Sequence, residues 1–199
     1  MSDDRDIAAG VQAGLLAHQG VRAVELVGSR ASGTVRPLSD WDFRVTVDDF
    51  AGVAADLPAL VSGLEPLAQQ WDRLSWFRCY MLMLAGPVKV DLLFVDVPQR
   101  PEPPWSVTPQ SLEAIDQHFW DWVLWLLAKR QAGRDELVRE ELETMSRYLL
   151  EPMGIERVPD SIQAATADYR TTRDRLESQF GVAVPRLLEL AVLPLVARR

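Results

Sequence analysis

The stretch ELVGSRASGTVRPLSDWDFRVTV, Glu25 to Val47, decides how the chain reads. An apolar run ending at Val27 gives way to Gly28-Ser29. A polar loop follows, and Asp40-Trp41-Asp42 opens a second run of strand formers. Side chains alternate between faces along a strand. A strand over residues 40–47 therefore puts Asp40, Asp42 and Arg44 on one face, with Trp41, Phe43, Val45 and Val47 on the other as core. Two carboxylates this close repel if both ionise. A divalent cation held by both removes that cost, and magnesium prefers oxygen ligands, commonly one or two carboxylates with substrate phosphates.

A third carboxylate is available in VKVDLLFVD, Val88 to Asp96. Alternation groups Lys89, Asp91 and Leu93 on one face and Val88, Val90 and Leu92 on the other. If this strand lies beside residues 40–47, three carboxylates converge, and two ions about 4 Å apart could serve an attacking oxygen and a triphosphate. The structural alternative for Asp91 is an edge-strand carboxylate paired with Lys89. Gly28 allows close backbone approach to a ligand. Ser29 adds a hydroxyl, and the N–H groups after it can cradle phosphate. Ser39 reads either as a turn cap or as a contact to substrate or metal.

Outward from this stretch, residues 4–18 read as an amphipathic helix, with Ile7, Val11 and Leu15 at i+4 spacing and Asp3 or Asp4 as its cap. Residues 21–27 read as a strand. Residues 49–67 read as helix broken by Pro58 and Pro66. Residues 74–84 and 88–97 read as strands of an antiparallel hairpin about Ala85-Gly86-Pro87. PQRPEPPW, Pro98 to Trp105, reads as a stiff linker. Beyond it Leu112, Ile115, Phe119, Trp122 and Leu126 form a helical stripe, and residues 134–150, 161–180 and 184–197 read as three more helices of a bundle. The expected domains are 1–98 (α/β) and 106–199 (helical), joined by 98–105.

The 199 residues suffice for a core without staples, and the single cysteine, Cys79, excludes an internal disulfide and reads as a buried filler. Net charge is −8, which argues against extended nucleic-acid binding and suits either solubility or a cationic small substrate. The opening MSDDRD is unlike a signal peptide, and no apolar run is long enough to span a membrane, so a cytoplasmic location is expected. His18 and His118 are too few and too scattered for zinc.

VGSRASGTVRPLSDWDF resembles the signature of the DNA polymerase β-type nucleotidyltransferase superfamily: a Gly-Ser pair, a loop, then Asp-x-Asp. Asp91 on a later strand matches that superfamily's third carboxylate. The resemblance covers residues 20–97. The helical half is more loosely similar to bacterial antibiotic nucleotidyltransferases acting on aminoglycosides or lincosamides, through FWDWVLWLLAKRQAGRDELVREEL. The resemblance implies an α+β fold, an N-terminal mixed-sheet nucleotidyltransferase core followed by a C-terminal helical bundle with a cleft between. It implies magnesium, two ions, on Asp40, Asp42 and Asp91, with Asp91 as third ligand or as base. It also implies triphosphate held by Gly28 and Ser29, with Arg30 and Ser39 nearby. AMP from ATP, or another nucleotide from its NTP, would pass to a hydroxyl of a small polyhydroxylated, antibiotic-like acceptor, releasing pyrophosphate. Ser32 stands where an arginine is common, so Arg30, Arg36 or Arg44 would take over that phosphate contact. The rivals are a protein-modifying, antitoxin-like enzyme, against which the long helical half counts, and an inactive nucleotide-binding module, against which the three aspartates count.

On the helices, Asp116, Asp121 and Glu136 are candidate bases, with a solvated charge as the alternative for each. Lys129, Arg130 and Arg134 could reach a triphosphate or simply favour a helix C-terminus. Trp120, Trp122 and Trp125 could stack a base or pack a core. The oligomeric state is left open by the sequence.

Overall fold

The computed structural model describes residues 4–197. They divide into two compact units, one running to Glu102 and the other from Pro103. The fold is α+β, with one five-stranded mixed sheet.

In the first unit, α1 (Asp4–Leu16) buries Ile7, Val11 and Leu15, the i+4 stripe of the sequence. The expected cap at Asp3 lies outside the described residues, as does the side chain of Asp4. Strand β1 (Val21–Val27) leads into a single helical turn, α2 (Gly28–Ala31), and β2 (Trp41–Val47) follows the loop. Helix α3 (Phe50–Leu60) starts at Asp49, whose side chain accepts from the Gly52 N–H at 3.0 Å. It tolerates Pro58 but ends at Leu60, short of the expected Leu67, and the chain turns back through Glu65 at φ 49°. Next comes β3 (Ala68–Trp71), a strand in the gap between the expected helix over 49–67 and the expected strand over 74–84, to which the sequence assigned no element. The expected hairpin is present as β4 (Phe77–Leu84) and β5 (Val88–Pro98), antiparallel.

The strand order is β1-β2-β5-β4-β3, with only β2 and β5 parallel. A parallel neighbour needs a crossover, and α3, β3 and β4 form it. One face of the sheet carries the core: Val24, Trp41, Phe43, Val45, Tyr80, Leu82, Val90, Leu92 and Phe94 pack with α1 and α3. These are the alternate positions expected of β2 and β5. Strand β4 is buried on its other face as well, through Cys79, Met81 and Met83.

The second unit is helical: α4 (Leu112–Gln131), α5 (Asp135–Met145), α6 (Ile162–Phe180) and α7 (Leu187–Val196). Helix α4 is buried on nearly all sides, which marks it as the central helix, and it packs against α5, α6 and α7. After α5 the chain widens into a π-helical turn, Ser146–Leu150. The Ser161 hydroxyl caps α6 by accepting from Ala164 N–H at 3.1 Å. Gly181, at φ 65°, ends it. Among the described residues no helix is long and apolar enough to cross a membrane.

Candidate active site

Strand pairing brings the motif residues together. Val27 on β1 is opposite Asp42 on β2, Asp42 is opposite Asp91 on β5, and Asp91 is opposite Met81 on β4. Residues in register share a face, and neighbouring strands lie about 4.8 Å apart. Asp42 and Asp91 are thus side by side on the face opposite the apolar core. Asp91 is not on an edge strand, because β5 is central.

The glycine corner bears directly on this pair. Gly28 has φ +69°, and a Cβ placed there would lie 2.3 Å from Asp42 Oδ2. Only a residue without a side chain lets the backbone turn this close to the carboxylate. Gly28 and Asp42 are fourteen positions apart in sequence, yet they form one contact.

Asp40 differs from expectation. Strand β2 begins at Trp41, so Asp40 is the last loop residue and strand alternation does not fix its direction. It is partly buried, with its Oδ1 shielded from solvent. Among the described residues, no three histidine, cysteine or carboxylate side chains are gathered into a ready-made ion site. Strand register itself brings Asp42 and Asp91 together, with Asp40 one residue before β2. Asp91 also meets Lys89, whose Nζ lies 2.7 Å from Asp91 Oδ1. The donor set still suits a hard dication. It is all carboxylate oxygen, and Asp42 and Asp91 stand on adjacent strands beside a backbone corner with no side chain.

Arg30 and Ser39 are occupied in shaping the loop. Arg30 donates from Nε to Asp40 O at 3.2 Å and from a terminal nitrogen to Ser39 O at 3.0 Å. Its guanidinium lies 3.9 Å from the centroid of the Trp41 ring. Ser39 Oγ accepts from Arg36 N–H at 2.9 Å, the turn-capping role. These contacts hold the segment that delivers Asp40 and Asp42. Ser29 is partly buried, and its carbonyl accepts from Thr34 N–H and from the Ser32 hydroxyl. Arg36 is exposed in the loop, and Arg44 is exposed opposite Glu25.

Solved structures similar to this chain include the following two. One is an aminoglycoside 6-adenyltransferase from Bacillus subtilis, 14% identical, with a TM-score of 0.34 over 98% of each chain. The other is the polymerase core of TRAMP, an RNA surveillance complex, 9% identical, with a TM-score of 0.36 over 68% of this chain and 44% of that one. This chain thus spans less than half of the polymerase core's length. No protein-family model matches the sequence, and no curated protein matches it.

The helical candidates are placed differently from the sheet pair. Asp116 is not a solvated charge: it is 2% exposed and accepts from Trp120 Nε1, Tyr169 OH and Arg173 at 3.2, 2.8 and 3.2 Å. Burial pushes its carboxyl above the usual range, while the hydrogen bonds from Tyr169, Arg173 and Trp120 pull it back. Arg173, 1% exposed, also meets Glu189 at 2.7 Å, and Glu189 accepts from Arg170. Sequence reading missed this network because its members come from three helices. Asp121 is buried too, which overturns the solvated reading for it, and Glu136 is exposed. Trp120 and Trp122 are core residues, and Trp122 donates to Glu141 at 3.1 Å. Trp125 carries the Lys129 ammonium 4.7 Å from its ring centroid. Arg130 donates to Gln163, and Arg134 is exposed at the start of α5. His18 accepts from Gly20 N–H and faces Asp56, a loop role.

Proposed function

We propose that this protein is a metal-dependent nucleotidyltransferase that moves a nucleoside monophosphate, with AMP from ATP as the first expectation, onto a hydroxyl of a small polyhydroxylated acceptor. The observation that carries this reading is the packing of Gly28 against Asp42, with Asp91 as the in-register neighbour of Asp42. A sheet has no structural use for two adjacent carboxylates with a glycine corner closed down on one of them. The combination becomes useful when positive charge and phosphate enter.

In the proposed reaction the acceptor oxygen bonds to the α-phosphorus, the bond from that phosphorus to the bridging oxygen breaks, and pyrophosphate leaves. Divalent ions held by Asp42 and Asp91, with Asp40 joining, would neutralise the triphosphate and orient it in line. Asp91 would serve either as a further ligand or as the base that takes the hydroxyl proton. Gly28 and Ser29 would bring backbone and hydroxyl donors to the phosphates without a side chain in the way. Arg30 would act from behind, fixing the loop through Ser39 O, Asp40 O and the Trp41 ring. An acidic chain of net charge −8 favours a cationic acceptor over a polyanionic one.

The test is incubation with magnesium, ATP labelled at the α-phosphate, and a panel of aminoglycosides and lincosamides. Label on a drug supports the reading. Label on a co-purified protein moves the acceptor to a polypeptide. Absence of transfer from any of the four ribonucleoside triphosphates to either class sinks it.

A further inference from the structure

Lys89 is a buried charged residue of the first unit that the proposed chemistry does not use. Its side chain is only 5% exposed, and that of Asp91 is 13% exposed. Lysine is almost never this buried without a partner, because an ammonium loses its hydration there. The two residues are i and i+2 on β5, so they lie on the same face, and they meet at 2.7 Å. Asp91 in turn is the register neighbour of Asp42. The ammonium therefore stands where a positive charge eases repulsion between two carboxylates.

We propose that Lys89 is a resident counter-cation that competes with the divalent ion for Asp91 and so sets how tightly the carboxylate pair takes metal. This rests on the nucleotidyltransferase reading and adds a control to its site. Without metal, Lys89 neutralises Asp91 and stabilises the fold. When a dication binds to the same carboxylates, Lys89 is a like charge a few ångströms away, and the ion must displace or tolerate it. The two roles have opposite signs. Removing the charge should weaken the metal-free protein and strengthen its hold on metal. A lysine with a purely architectural role would give the first effect without the second.

The experiment titrates the protein with manganese ion alone, reading free ion by electron paramagnetic resonance, for wild type, Lys89→Met and Lys89→Arg. Melting temperatures are recorded in EDTA and in manganese. Lys89→Met is expected to bind manganese about tenfold more tightly than wild type. It should melt lower in EDTA and recover more on adding manganese. Lys89→Arg, which keeps the charge, should bind manganese like wild type. If Lys89→Met does not fold, Lys89→Gln carries the same test with a polar side chain. Wild type that binds manganese while neither neutral variant binds it more tightly overturns the role given to Lys89 and leaves the enzyme reading intact. Wild type and neutral variants that all fail to bind manganese at millimolar concentration overturn this proposal, while the enzyme reading stands or falls on the labelled-ATP panel, since substrate phosphates can complete the ion's ligands.

Discussion

The protein contains two groups of close charges, and they are built on opposite principles. In the helical unit, the buried Asp116, Arg173 and Glu189, with Arg170 on Glu189, set two acids against two bases, and Tyr169 and Trp120 complete the hydrogen bonds. On the sheet, Asp42 and Asp91 stand acid beside acid, with Lys89 at one of them and a glycine corner at the other. The first group has its charge balanced where it stands and needs nothing more. The second sets two carboxylates side by side on adjacent strands, with a backbone corner that has no side chain closed down on one of them. Burial and charge density alone would rank the helical group as the more interesting. Acid set against base marks an architectural cluster, and acid set beside acid on neighbouring strands marks a candidate site.

The sharpest way to break this contrast is Asp42→Asn. If the sheet pair is chemical, transfer should fall by about 10³-fold, while the circular dichroism spectrum and melting temperature stay near wild type. Transfer that survives would mean Asp42 holds no reacting ion. The counterpart is Arg173→Met, which leaves the Asp116 carboxylate buried without its cation and Glu189 with Arg170 and Arg186 alone. Urea denaturation should show a loss of about 3–5 kcal/mol, with kcat/KM of the folded protein unaltered. A large activity loss in a stable Arg173→Met protein would erase the division between the two groups.

A finer test uses two glycines with nearly the same backbone. Gly28 and Gly33 have φ +69° and +73°. Alanine costs about 1 kcal/mol at either, from the left-handed conformation alone. At Gly33 a Cβ meets nothing within 4 Å, whereas at Gly28 it would lie 2.3 Å from Asp42 Oδ2. Gly28→Ala should therefore displace the carboxylate and lower transfer about 100-fold, and Gly33→Ala should leave transfer unaffected. Equal losses would show that loop strain, not the contact with Asp42, limits activity.

What the sequence made legible follows the range of the interactions. Alternation in DWDFRVTV and VKVDLLFVD placed Asp42 and Asp91 correctly on the face away from the core, because each pattern is local to one strand. The hairpin at Gly86 and the helix over 161–180 were legible for the same reason. Strand β3 was not: AQQW has no alternation, and it is a strand only because Gln69 and Gln70 pair with Leu82 and Met81. Asp40 was misplaced by one step because strand ends depend on the neighbouring strand, and Arg30 holds this segment through its carbonyls. Asp116 was misread as a solvated charge because its partners Tyr169 and Arg173 are more than fifty positions away. The Lys89–Asp91 pair lay within three residues and was visible as a shared face. Its depth was not, since burial belongs to the whole fold.

The smallest expected effect concerns Tyr169, the neutral donor of the helical network. Burial raises its phenol well above the usual range, and the Asp116 charge and the hydrogen bond to it raise it further. The folded pKa is thus above the unfolded value of about 10. Stability from this group is complete below pH 10 and is lost as pH rises, because the unfolded chain can release a proton that the folded one holds. The loss approaches about 1.4 kcal/mol per pH unit. Tyr80, also raised by burial, acts in the same direction and survives in a Tyr169→Phe variant. That variant should lose about 1–3 kcal/mol at neutral pH, since Asp116 gives up a donor. Its urea stability should then fall less steeply than wild type between pH 10 and 11. Parallel slopes would place the phenol proton outside the network and leave Arg173 as the group that neutralises Asp116.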